Sequence, residues 1–155
     1  MPTFNKDMHK LATANSFFQK EVYRDGNIQI VLMSLLPGED IGEETHRADQ
    51  TTYFVEGNGK AVLDGRGTKV TANHVVVIPQ GTKHNIVNTG TAPLKLFSVY
   101  APPAEEPGVK NRTKADAEAA EKGVIAGALE TVTEVAKALG EKVKKAGKKK
   151  RKKEK

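Results

Sequence analysis

Four side chains in two short stretches carry the chemistry this sequence can offer. Glu44, His46 and Gln50 lie within residues 38–57, GEDIGEETHRADQTTYFVEG, just ahead of an apolar run. His84 follows a Pro79-Gln80-Gly81 turn inside residues 73–88, NHVVVIPQGTKHNIVN. Both stretches read as strand pairs around a tight turn, so the four polar groups can face one point. Two imidazoles, a carboxylate and an amide in one pocket can bind a small polar ligand and exchange protons with it. The chain has no cysteine, which excludes a disulfide framework, a thiolate metal site and a cysteine nucleophile.

Positioning such groups requires strands. Residues 17–23 and 28–36 are rich in β-branched and aromatic side chains and are parted by Arg24-Asp25-Gly26-Asn27, a hairpin signal. The run IQIVLMSLL (28–36) is apolar on both faces at its centre, as expected of a strand buried between two sheets. Further strands are expected at 51–55, 60–64, 68–72, 75–78, 84–87 and 94–100, with Gly-rich or Asn-rich turns between them. The continuous apolar run at 75–78 reads as a central strand, and residues 1–16 have no clear periodicity. About eight short strands at regular turn spacing define an all-β fold, closed or in two sheets, over residues 1–103.

The composition changes after that. Residues 104–112 continue a Pro-containing linker, and residues 113–146 are rich in Ala, Glu and Lys, with Val124, Ile125, Leu129, Val132, Val135, Leu139 and Val143 spaced as an amphipathic helix. Its uses are packing on the β domain or on a partner subunit, standing half-ordered in solution, or lying on a membrane surface; the lack of Trp and Phe on its apolar face disfavours the last. Residues 147–155 form a low-complexity Lys-rich tail with the composition of a disordered segment. The net charge of +6 belongs to the end of the chain. From residue 142 to 155 ten Lys or Arg face one Glu, which leaves 15 basic and 18 acidic side chains of the total 25 and 19 in residues 1–141. A polyanionic partner, whether nucleic acid or an anionic surface, would therefore meet residues 142–155, without base stacking because no aromatic residue is interleaved there. No run of 18 apolar residues exists and the N-terminus lacks the apolar core of a signal peptide, so no transmembrane segment and a cytoplasmic location are expected, or a nuclear one in a eukaryote.

The spacing Gly38–x5–Glu44–x–His46–x3–Gln50–x6–Gly57 resembles the first motif of the cupin family, G(X)5HXH(X)3–4E(X)6G. Pro79–x–Gly81–x2–His84–x3–Asn88 is similar to the second motif, G(X)5PXG(X)2H(X)3N, with Asn73 standing for its leading glycine. Asn tolerates the left-handed backbone, so that exchange is mild. The resemblance covers roughly residues 28–120 and implies a jelly-roll β-barrel, a divalent metal in the barrel and a homodimer. By position the implied metal ligands are Glu44, His46, Gln50 and His84, where the family has three His and one Glu. The first ligand has become a carboxylate and the carboxylate an amide, which keeps the formal ligand charge unchanged. Such a set suits Fe, Mn, Zn or Ni with positions open to a ligand.

Each residue also has a plainer reading. His46 and His84 could be hydrogen-bonded pocket residues of a metal-free barrel, and Gln50 could pin a loop backbone. One of Glu43 and Glu44 is a solvated loop acid. His9 reads as a surface residue and His74 as a turn residue. Tyr53 and Phe54 point to opposite sheet faces, one towards the core or pocket and the other towards a dimer face. Two functions follow. One is a metal-dependent protein acting on or binding a small polar metabolite, with Glu44 as the catalytic base and isomerisation of a sugar (mannose-6-phosphate isomerase-like) or dioxygenation as the family-level options. Scattered Lys60, Lys69, Lys83 and Lys95 offer no phosphate clamp, which disfavours a sugar phosphate. The alternative is a non-catalytic ligand-binding or structural barrel whose basic tail contacts nucleic acid or anionic surfaces.

Overall fold

A computed structural model describes residues 3–151 of the chain, with side-chain surroundings through residue 145. In chain order the elements are α1 (Met8–Ala14), β1 (Gln19–Arg24), β2 (Gln29–Leu35), β3 (Asp49–Glu56), β4 (Asn58–Leu63), β5 (Arg66–Thr71), β6 (Val75–Ile78), β7 (His84–Asn88), β8 (Leu94–Ala101), β9 (Lys110–Asn111) and α2 (Lys114–Arg151). Period-two alternation builds the core. On β8, Leu94, Leu96, Ser98 and Tyr100 are buried while the residues between them are partly exposed. They meet Phe54 of β3, Val31, Met33 and Leu35 of β2, and Ala61, Val70 and Ile86 from the facing strands, in one apolar cluster.

The strands form two antiparallel sheets, of order β6-β3-β8-β2-β1-β9 and β5-β4-β7. They do not close into the barrel that the sequence suggests. Where a closing strand would run beside β7, the chain supplies the polar segment 38–44, which makes two isolated bridges, Asp40↔Val87 and Glu44↔His84. Gly38 and Gly42, at φ of 82° and 90°, interrupt the extended conformation that a full ladder needs. The result is a two-sheet jelly roll.

Three further expectations need correction. The outer side of β2 is covered by α1, because Ala12 packs on Leu32 and Val55 together with Tyr53 and Phe97, so the second apolar face of IQIVLMSLL meets a helix and not a sheet. Tyr53 accordingly lies on the helix-covered face, stacked on Phe97, and Phe54 in the core. The strand at 75–78 is an edge strand, with Val75 and Val77 exposed on its outer side. Finally, residues 104–112 are laid down on the sheet: β9 pairs with β1, and the Ala104 and Glu105 amides both donate to Gln29 Oε1.

The chain divides into two compact units after Ala117. In the second, α2 carries exposed Val124, Ile125, Leu129, Val132, Val135, Leu139 and Val143. The helix runs to Arg151, past residue 147 where the sequence suggests a disordered tail to begin; residues 152–155 of that tail lie outside the described residues.

Gly57, the last position of the first motif, turns β3 into β4 at φ 92°, and a Cβ there would meet Pro93 O at 2.8 Å and Leu94 Cα at 3.0 Å. Gly57→Ala is expected to cost about 1–3 kcal/mol from left-handed strain and that backbone clash. The loss is read as a lower urea midpoint at unchanged slope. Gly65→Ala, at φ 79° but with open space around the site, should cost less.

Candidate metal centre

Alternation does not stop at the start of β3. Glu44 and His46 are partly buried, Ala48 and Gln50 fully so, while residues 43, 45, 47 and 49 are exposed. The segment leading into β3 is therefore extended enough to put Glu44, His46 and Gln50 on one face. A pair of reciprocal backbone bonds, Glu44 N–H to His84 O and His84 N–H to Glu44 O, both 2.9 Å, clamps this segment to the start of β7. Gly81 N–H donates to His46 O at 2.9 Å, so the Pro79-Gln80-Gly81 turn fixes the second ligand segment against the first. Asn88, buried at the end of β7, donates to Leu35 O and Ala92 O and accepts from Gly90 N–H. Its role is to hold the strand.

The three ionisable side chains meet. One donor atom from each of Glu44, His46 and His84 lies within 4.8 Å of the others. His46 Nε2 is 3.1 Å from Glu44 Oε2, and His84 Nε2 is 4.0 Å from the same oxygen. Glu43 is the loop acid: its carboxylate pairs with exposed Lys83 at 2.7 Å. His9 is exposed on α1, and His74 is exposed beside a turn.

Two buried atoms in this region have no hydrogen-bond partner, His84 Nε2 and Gln50 Oε1. His84 is 2% exposed, and its Nδ1 is 2.9 Å from Thr82 O. Because a carbonyl only accepts, Nδ1 carries the proton and Nε2 presents a bare lone pair, the arrangement of an imidazole ready to bind a metal. Gln50 donates its Nε2 to Thr52 Oγ1 and Ser98 Oγ, each at 3.2 Å, and these hydroxyls are 2.8 Å apart. Gln50 thus anchors to side chains of β3 and β8 and leaves its carbonyl oxygen unsatisfied. Leaving such atoms buried and unpaired costs about 1–3 kcal/mol each, so this donor set fits a bound cation.

A second carboxylate that sequence reasoning missed also reaches the site. Glu105 Oε1 lies 3.9 Å from His46 Nε2, and the Tyr100 ring packs edge-on against His46 with centroids 5.4 Å apart. Burial and the charge of Glu44 raise the Glu105 pKa above the ordinary carboxylate value, against the opposing pull of His46, Tyr100 and Gln19. Burial alone would lower the His46 pKa, but its hydrogen bond to Glu44 and the charges of Glu44 and Glu105 outweigh that and raise it. Burial, then the charges of Glu105 and Glu44, push the Tyr100 hydroxyl well above its ordinary value, which keeps it a neutral donor. Glu105 is held in place from behind: Arg24 Nη1 donates to its carbonyl at 2.9 Å, and Gln29 takes its amide.

Residues 31–100 match the family described as Cupin domain. The chain is 39% identical over 126 residues to the uncharacterized protein YrkC of Bacillus subtilis, covering 76% of this chain and 67% of that protein. The chain belongs to the cupin superfamily. Among solved structures, this cupin is similar to BH2720 from Bacillus halodurans, at 36% identity and a TM-score of 0.73 over 76% of this chain and 95% of that one. An RmlC-like cupin from Shewanella frigidimarina, at 22% identity and a TM-score of 0.53 over 59% of this chain and 79% of that one, shares the fold. Among the described residues, no helix of this cupin is long and apolar enough to cross a membrane.

Gln29 is the test of how Glu105 is positioned. Gln29→Leu leaves the half-buried amides of residues 104 and 105 without their acceptor and should cost about 1–3 kcal/mol. Faster hydrogen exchange at those two amides, by a larger factor than in β3, is the expected signature.

Proposed function

We propose that this cupin binds one divalent transition-metal ion through Glu44, His46 and His84, with the Gln50 carbonyl oxygen as a fourth donor, and acts there on a small polar metabolite. The observation that carries this reading is the bare Nε2 of His84, buried without a partner and within 4.8 Å of two other donors. Nitrogen and oxygen donors without thiolate favour Fe, Mn, Zn or Ni over soft-metal sites. When bound, such an ion supplies Lewis acidity to a ligand oxygen, or redox chemistry if it is iron.

The chain's own groups do the rest. His84 and Gln50 are fixed by Thr82 O and by the Thr52 and Ser98 hydroxyls, so both keep their aim without help from a ligand. Glu44 is the most exposed member of the set, its side chain at 31% against 14% for His46 and 1% for His84. It is therefore the group able to move between holding the metal and taking a proton from the ligand. Glu105 offers a second carboxyl beside His46, placed to orient that imidazole or to meet a ligand hydroxyl. Lys83 is committed to Glu43 and Lys95 donates to Asn15 O, while Lys60 and Lys69 are exposed on the outside. No cation is thus left to clamp a phosphate among the lysines of the β domain that the sequence offered, which favours an unphosphorylated metabolite.

The test is metal content of protein purified without an affinity tag and dialysed against Mn, Fe(II), Zn or Ni. Close to one ion per chain is expected for the wild type. His84→Ala and His46→Ala should hold little, with at least a 10-fold weaker affinity. Gln50→Ala should weaken binding less than either His change, because an amide oxygen is the weakest donor of the four. Wild-type content no higher than that of His84→Ala at equal folding would remove the proposal. Binding should release protons and weaken as the pH falls, since ligating imidazoles must be neutral.

A further inference from the structure

The apolar stripe of α2 has a period that its exposure alone does not explain. Ile125, Leu129, Val132, Ala136, Leu139 and Val143 follow one another at spacings of four, three, four, three and four. That is a 3.5-residue repeat sustained over nearly three heptads, the signature of a seam between two helices that supercoil about each other. A helix lying on a globular body carries a broader stripe that drifts at about 3.6 residues per turn; here Val135 flanks the row and Val124 lies off it, and the unbroken repeat is carried by the other six. None of Gly123, Gly127 and Gly140 stands at a seam position. The five large members of the seam are all exposed, Ile125 at 60%, Leu129 at 67%, Val132 at 64%, Leu139 at 58% and Val143 at 72%.

Charge along the helix says which partner fits. In residues 114–134, Asp116, Glu118, Glu121, Glu130 and Glu134 outnumber Lys114 and Lys122. In residues 137–151 the lysines and Arg151 face only Glu141. A parallel pair of these helices sets acid beside acid and base beside base. An antiparallel pair sets each acidic half against the basic half of its partner. The same register also completes the seam. Ile125 meets Val143, Leu129 meets Leu139, and Val132 meets Ala136 of the second copy, each an alternation of the two heptad positions that an antiparallel coil stacks in one layer.

We infer that α2 is a self-association element, which pairs two copies of this chain through an antiparallel coiled coil over residues 125–143. The inference is independent of the metal centre. It gives the exposed helix an occupant whose charge and spacing are both written in the chain itself.

The experiment compares the mass of the full chain in solution, by light scattering on a sizing column or by sedimentation, with that of Leu129→Glu/Leu139→Glu. The wild type should have twice the mass of the variant. Glu134→Gln, off the seam, should keep the wild-type mass. Thermal unfolding of the β domain should be the same in all three, which separates lost pairing from lost folding. Equal masses for wild type and the seam variant overturn the inference, and do so also if the wild type instead sediments with anionic vesicles. Orientation is read with single cysteines, clean in a chain that has none. Ile125→Cys and Val143→Cys proteins, whose thiols share one layer of the seam, should form a disulfide when mixed and little when each is alone; cross-linking of Ile125→Cys to itself would mean a parallel pair and overturn the antiparallel assignment.

Discussion

The site depends on one two-way backbone contact. Glu44 and His84 exchange N–H and carbonyl at 2.9 Å in both directions, and the Gly81 N–H to His46 O bond and the Asp40–Val87 bridge hold the same two segments on either side of it. The contact is local in space and long in sequence, and it works because both partners are extended where they meet. From it the rest is geometry. Period-two alternation then carries His46 and Gln50 to the same face as Glu44, while the Pro79-Gln80-Gly81 turn sets where His84 begins its strand. A slip of one residue at the contact would turn Glu44 and His46 outward, while Gln50 keeps the register that β6 and β8 give it.

Around that contact the two walls of the pocket differ. Gln50 stands on β3, hydrogen-bonded between β6 and β8, and its amide is locked to two buried hydroxyls. His84 is equally fixed through Thr82 O. Glu44 and His46 sit on a segment that the fold holds by isolated bonds. The fixed wall contributes an amide and an imidazole, the looser wall the carboxylate and a second imidazole. Glu105 adds a third side, supported by the buried Gln29 and by Arg24.

Much of this was legible in the sequence because it follows from short-range rules. The eight strands and their turns come from alternation and from Gly and Pro placement, and the set Glu44, His46, Gln50 and His84 from its resemblance to the two cupin motifs. What was not legible comes from distant contacts. α1 has no strong periodicity of its own and forms because Ala12 fits the outer face of β2 and β3. β6 looks central by composition, and only the strand order makes it an edge. Glu105 lies in a Pro-containing stretch that reads as linker, and its place is set by Gln29, 76 residues away in sequence. Tyr100 could have been found: it shares parity with Leu94, Leu96 and Ser98 on an alternating strand. The open gap between the sheets was hidden for the opposite reason, since a family pattern describes ligands and turns but not how far the ladder beside β7 extends.

The split between the two walls has a bearing on how such a pocket changes over time. The residues that decide its charge, Glu44 and its neighbours, belong to the stretch with the fewest commitments to the sheets, so they can be exchanged without rebuilding either one. A lineage carrying this scaffold can therefore vary which ions and solutes it accepts while its folding free energy stays nearly constant.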